Sequence, residues 1–209
     1  MSRNQRAGLR KAIIQASLQL GSELGEEGLT MRGIASKLGV SATALYQHFD
    51  SKAAILREIR VFGTERLLQD VVGAAAQSSE DPVECLMALA ENYIMFSRSQ
   101  PWLYTVLMSS DQPEWADISN EERDQLLAPL GVTHQLFAKG LEQGKFKPGL
   151  DPQMGAIRMW AALHGLCSML ISGRIDENHP AFPVSDQQAF LKNFTDSIIR
   201  SFTGQEASA

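Results

Sequence analysis

The chain has 209 residues, 44% of them apolar and 21% charged, which places it among ordinary folded proteins with enough apolar residues to bury a core and excludes wholesale disorder. Its net charge of −5 argues against a uniformly basic nucleic-acid binder. Its two cysteines, Cys85 and Cys167, lack metal-type spacing and suit a reducing compartment, as two small apolar side chains. The opening MSRNQRAGLRKAI has no apolar signal core, and no stretch reads as about 18 unbroken apolar residues, so a soluble, cytoplasmic protein without a membrane partner is expected.

The charge is unevenly divided. Residues 1–60 carry nine Lys/Arg against five Asp/Glu, a net of +4, while the rest carries ten against nineteen, a net of −9. A basic head on an acidic body turns one end of the molecule toward a polyanion.

In chain order, helical signals dominate and alternating β-branched runs are absent, so the expected class is all-α. A first helix is predicted from Arg6 to Leu24, with Leu9, Ile13, Ala16 and Leu20 on one face and Gly25 as its stop. Thr30 is the N-cap of a short second helix that buries Ile34, Ala35 and Leu38. Gly39 turns the chain, and Ser41 caps a third helix reaching His48 or Phe49. Asp50–Ser51 caps a long fourth helix over 52–77. Helices then follow from Pro82 to Arg98, from Pro101 through PWLYTVLM, and from Glu121 to Gln143, the last disturbed at Pro129 and Gly131. Asp151 and Pro152 start a helix to Ser172, and Ser185 or Asp186 caps a final one ending near Phe202. Residues 109–122 and 173–185 read as loops, and the last six residues as a frayed end.

Residues 29–56 are the informative segment: two short helices joined by a glycine-bearing turn, the helix-turn-helix layout. With Leu45 and Phe49 inward, the third helix exposes Ala42, Thr43, Ala44, Tyr46, Gln47 and His48, a short face without acidic groups that suits a major groove. Spacing alone is equally compatible with an ordinary three-helix bundle.

The run Thr30-Met-Arg32-x-Ile34-Ala35-x-Lys37-Leu38-Gly39-Val40-Ser41, followed by Leu45-Tyr46-x-His48-Phe49-x-Ser51-Lys52, resembles the DNA-binding domain of the tetracycline-repressor (TetR) family nearly position for position. The resemblance covers roughly residues 6–56 and implies a homodimer of all-helical subunits. Each would carry an N-terminal three-helix helix-turn-helix domain (1–52), joined by a long helix to a ligand-binding and dimerisation domain (53–209). It implies phosphate contacts from Thr30, Tyr46, His48 and Lys52, a base or phosphate contact from Arg32, and base reading by Ala42, Thr43, Ala44 and Gln47. Gln47 can bond adenine, and the three methyl-bearing residues can pack on thymine methyls. The chain departs from the family at Thr43, where Gly, Ala or Pro is frequent, and at Ala44, where Thr is frequent, so no operator sequence carries over. The arm Ser2–Arg6 is either a minor-groove arm or a solvated tail.

A second pattern, Gln100-Pro101-x-x-Tyr104-x-x-x-Met108 with Trp160-x-x-x-His164-Gly165-Leu166, looks like a C-terminal subtype of the family. Trp160 and His164 share a helix face, either as packed or dimer-helix residues or with His164 at a pocket wall. Tyr93, Phe96, Trp102, Tyr104, Met108, Phe137, Trp160 and His164 are the candidate ligand contacts, in competition with ordinary core. In the family the last two helices pair across a two-fold axis, here through Ile157/Trp160/Ala161/His164 and Phe190/Phe194/Ile198.

The expected function is therefore a sequence-specific transcriptional regulator, a repressor released from a palindromic double-stranded operator by a small-molecule effector. The alternative is a DNA-binding protein without small-molecule input, acting structurally or through a protein partner. No phosphate loop, dinucleotide fingerprint, paired catalytic carboxylates or metal cluster is present in the sequence, so no enzyme, catalytic residue, cofactor or metal is expected.

Overall fold

The computed structural model describes residues 3–108, 118–181 and 183–203, with side chains from Gly8 onward. All regular structure among these residues is helical, as the absence of alternating β-branched runs requires. The order is α1 (Arg3–Gly28), α2 (Met31–Leu38), α3 (Ala42–Tyr46), α4 (Lys52–Arg66), a π-helical segment (Leu67–Gly73), α5 (Ala74–Ala76), α6 (Pro82–Ser99), α7 (Pro101–Met108), α8 (Asn120–Glu142), α9 (Pro152–Ile171) and α10 (Gln187–Thr203).

The capping signals act where the sequence puts them. Gly25 sits at φ 70°, ψ −174° and breaks the helical path of α1. Asp151 accepts from the Gln153 amide at 2.8 Å, and Asp186 rather than Ser185 caps the last helix through the Ala189 amide at 2.9 Å. The backbone of Arg3–Arg6 is already helical, so the expected arm is continuous with α1, apart from Ser2, which lies outside the described residues. So do residues 109–117 of the expected loop and the terminal six residues.

Three expectations need correction. The long fourth helix is not uniformly α-helical, because its second half widens to π geometry over Leu67–Gly73. There the amide of Ala74 reaches the carbonyls of Gln69 and Val71. Gly73 allows this, since a Cβ on it would stand 2.8 Å from the Leu68 carbonyl oxygen. Second, α8 runs through Pro129 and Gly131 without interruption. Proline removes one amide, but buried Pro129 and Thr133, whose hydroxyl donates to the Pro129 carbonyl at 2.9 Å, hold the helix by packing and a local bond. Third, α9 is long and apolar enough, by length and composition, to cross a membrane. Its Ala, Leu and Met residues raise the average although Gln153, Arg158 and His164 interrupt the run, and its buried side packs on α6 and α10.

The chain forms two compact units, residues 1–65 with 100–122 and residues 66–99 with 123–209. The first of these units holds α4 and α7 together with α1, α2 and α3. In the first unit Ile13, Ile34, Leu45, Ile55 and Ile59 are fully buried. Two glycines seat α7 there: a Cβ on Gly21 would stand 2.2 Å from the Trp102 ring, and one on Gly63 2.9 Å from Leu103. The second unit is centred on Phe137, whose ring lies 5.2 Å from Phe146 and, edge-on, 4.9 Å from Phe202. Gly140 and Gly155 make room for these rings.

Candidate nucleic-acid interface

The head is built around two capped helices. Thr30 is extended at φ −127°, ψ 152°, and its hydroxyl oxygen accepts from the Gly33 amide at 3.0 Å, satisfying one of the free amides at the start of α2. Gly39 closes α2 in the left-handed region at φ 66°, ψ 28°. Its amide and that of Val40 return to the carbonyls of Ser36 (3.2 Å) and Ala35 (3.0 Å). Two residues later Ser41 accepts from the Ala44 amide at 3.1 Å and starts α3. Caps separated by one residue leave little freedom between the helices, which packing of Ile34, Ala35, Leu45 and Phe49 then fixes.

On α3 only Leu45 is fully buried. Thr43, Tyr46 and Gln47 are exposed, Tyr46 to 52%, while Ala42, Ala44 and His48 are half-buried. The helix ends at Tyr46, shorter than expected, and the residues to Phe49 continue as a turn. An exposed tyrosine on so short a helix contributes nothing to the core. Arg32 is exposed on the first turn of α2, on the segment capped by Thr30.

Four basic side chains of the head stand against acidic residues. Lys52 donates to the Glu26 carbonyl at 2.6 Å, with a Glu26 carboxylate oxygen 3.8 Å away. Lys37 lies 3.2 Å from Glu23. Arg10 pairs with Glu58, and Arg57 with Glu122 through an Nε–Oε1 bond of 2.8 Å and a second Nη2–Oε2 bond. The bonds from Arg57, then its charge, hold the Glu122 carboxyl below its usual range, outweighing the opposing effect of burial. The same pairing raises Arg57. None of these pairs was visible in the sequence, since their partners stand 14 to 65 residues apart.

The structure brings the nine expected DNA contacts together on the head, over α2, α3 and the start of α4. It distributes the eight expected ligand contacts differently. Trp102, Tyr104 and Met108 belong to the first unit, and Trp102 is set against Gly21. The other five belong to the second unit. Phe137 is completely buried among aromatic rings, and Tyr93 and Phe96 are buried. Trp160 is 45% exposed, with its ring 6.2 Å from that of His164. Both cysteines are free and buried, and no cluster of metal-ligating side chains occurs among the described residues.

An acid-free helix face presented by a capped helix-turn-helix is the arrangement a major groove accepts, and the comparisons decide the class. Residues 13–59 match the bacterial regulatory proteins of the tetR family, and residues 86–191 match the tetracyclin repressor-like C-terminal domain. The chain therefore belongs to the TetR family and is a DNA-binding transcriptional regulator. A helix-turn-helix-type transcriptional regulator of Mycobacterium tuberculosis is 24% identical over 206 residues, 94% of this chain and 81% of that protein. The class C tetracycline repressor of Escherichia coli is 49% identical over 47 residues, 22% of either chain. Among solved structures, a protein from Rhodococcus sp. RHA1 aligns with a TM-score of 0.77 at 22% identity, covering 93% of this chain and 95% of that one. AibR, solved with isovaleryl coenzyme A and operator DNA, aligns with a TM-score of 0.63 at 20% identity, covering 93% and 97%.

Proposed function

We propose that this regulator is a cytoplasmic homodimeric repressor that leaves a palindromic operator when a small molecule binds within residues 53–209. The observation that carries the DNA half of this reading is the exposed, acid-free face of α3. In this reading Thr30, Tyr46, His48 and Lys52 bind phosphates, with Arg32 beside them, and Ala42, Thr43, Ala44 and Gln47 meet bases. Lys52 exchanges its Glu26 carbonyl for a phosphate oxygen. With few long polar readers, backbone contacts and DNA shape supply much of the affinity.

The dimer half is supported by the outward side of α9. Trp160 and Met154 are exposed, Gly165 faces open space, and Phe190, Phe194 and Ile198 of α10 are only half-buried. A second copy covering this face would make the dimer, and a palindromic operator would take two α3 helices, one from each copy, about one DNA turn apart. Trp160, His164 and Gly165 carry the C-terminal subtype, with Trp160 as an interface residue. Ligand release needs an effector that binds the two states unequally; a coupling of about 1–3 kcal/mol lowers operator affinity roughly 5- to 150-fold. The chain acts by binding, without catalysis or cofactor. AibR, bound to isovaleryl coenzyme A and DNA, is an example of small-molecule input on this fold.

The test is selection of sites from random-sequence DNA with the wild-type protein and a Tyr46→Ala/Lys52→Ala control. Enrichment of a palindrome that the control loses is the expected result; absence of enrichment from a folded dimer would remove the reading. A thermal-shift screen without DNA then separates ligand-released repression from DNA binding without small-molecule input, since a bound effector raises the melting temperature.

A further inference from the structure

We propose that Arg10 is a positioning residue for the recognition helix, holding the end of α3 in register with α1 and α4. The inference rests on the reading of the α3 face as the surface that reads DNA. Arg10 lies on α1, outside every position that the sequence marks as a DNA contact.

Its guanidinium uses three donors on two elements. Nε donates to Glu58 Oε1 on α4 at 3.0 Å, and Nη2 donates to the other oxygen of the same carboxylate. Nη1 donates to the main-chain carbonyl of His48 at 3.0 Å, and the guanidinium carbon stands 4.2 Å from the centre of the Phe49 ring. An exposed Arg–Glu pair alone contributes little to stability. Here the third donor and the stacked ring change its meaning. His48 stands two residues beyond the last residue of α3, in the turn that leads from the recognition helix to α4. Arg10 supplies a donor at that point from a different helix.

The planar fork is required by this arrangement. A guanidinium presents several N–H groups at fixed angles and stacks on a ring with its flat face, whereas an ammonium offers one tetrahedral donor point. Lysine therefore retains the charge but not the simultaneous reach to the Glu58 carboxylate and the His48 carbonyl. Glu58 neutralises Arg10, which suits a strut better than a phosphate ligand. The segment so held carries Tyr46, Gln47 and His48, and Lys52 follows within four residues. Misplacing it blurs base recognition while leaving the cationic groups in place.

The experiment compares wild type, Arg10→Lys and Arg10→Ala on two probes across a salt series. One probe is the duplex that wild type enriches from random DNA, and the other is an unselected random-sequence duplex. Measurements are made at a temperature where circular dichroism shows each protein folded. Both variants should lose at least about tenfold in the ratio of selected to unselected affinity, with the salt slope kept. Should Arg10→Ala fail to fold, Arg10→Lys carries the test. A ratio unchanged in Arg10→Lys overturns the proposal, because charge alone then suffices. A slope that falls by about 0.9 per protomer in Arg10→Ala also overturns it, since Arg10 would be contacting phosphate directly. Wild type that enriches no duplex from random DNA removes the underlying DNA reading, and the proposal with it.

Discussion

Gly39 is the position where backbone conformation and side-chain packing can be separated most cleanly. It lies at φ 66°, ψ 28°, and a Cβ built there meets no atom within 4 Å. Gly39→Ala therefore creates no clash, and its cost is the conformation alone, about 1–2 kcal/mol for an L residue in the left-handed region. That cost exceeds the smaller gain of about 0.4–1 kcal/mol from stiffening the unfolded chain. A net loss of about 1 kcal/mol lowers the melting temperature of a 60–100-residue unit by about 4–8 °C. Gly39→Asn should lose less, because asparagine tolerates this region better. Thermal and urea melting of the whole protein, followed by circular dichroism, ranks the three on the transition that reports the head. Gly39→Ala melting with wild type, or Gly39→Asn melting below Gly39→Ala, would refute the assignment of the cost to the backbone.

Gly140→Ala tests the opposite balance. Alanine gains about 1 kcal/mol of helix propensity, but its Cβ would stand 2.0 Å from the Phe146 ring, wedged beside Phe137, and overpacking of about 1–3 kcal/mol should win; a variant more stable than wild type would show that the ring moves freely. Glu122 ionises below its usual value of 4.5 when folded, so its contribution is present above that pH and is lost as pH falls through the folded value. Glu122→Gln should accordingly show a smaller fall in melting temperature from pH 6 to pH 3 than wild type, and identical acid limbs would contradict the pairing with Arg57. Gln47→Ala should change the bases enriched from random DNA, and an identical consensus would remove its reading role. Trp160→Glu should convert a dimer to a folded monomer by light scattering, and an intact dimer would place the interface elsewhere.

Local signals determined much of this protein. Thr30, Gly39, Ser41 and Asp151 each act through neighbours within a few residues, so caps and turns were legible without knowledge of the fold. The inward positions Ile13, Ile34, Leu45 and Phe49 followed from helical spacing for the same reason. The widening of the long helix at Gly73 was not legible, because a glycine in a helical run does not announce whether the next bond reaches four residues back or five. Nor was the continuity of α8, where packing around Pro129 overrides a local breaker. The ion pairs and rings that matter most join residues far apart in sequence: Arg10 with Glu58, Arg57 with Glu122, Phe137 with Phe202. Composition supplied the candidate partners, but only the tertiary fold decided which of them meet. An aromatic residue reads alike in sequence whether it fills a core, as Phe137 does, or stands outward, as Trp160 does. Burial is a property of the assembled helices, and spacing along one helix constrains it only in part.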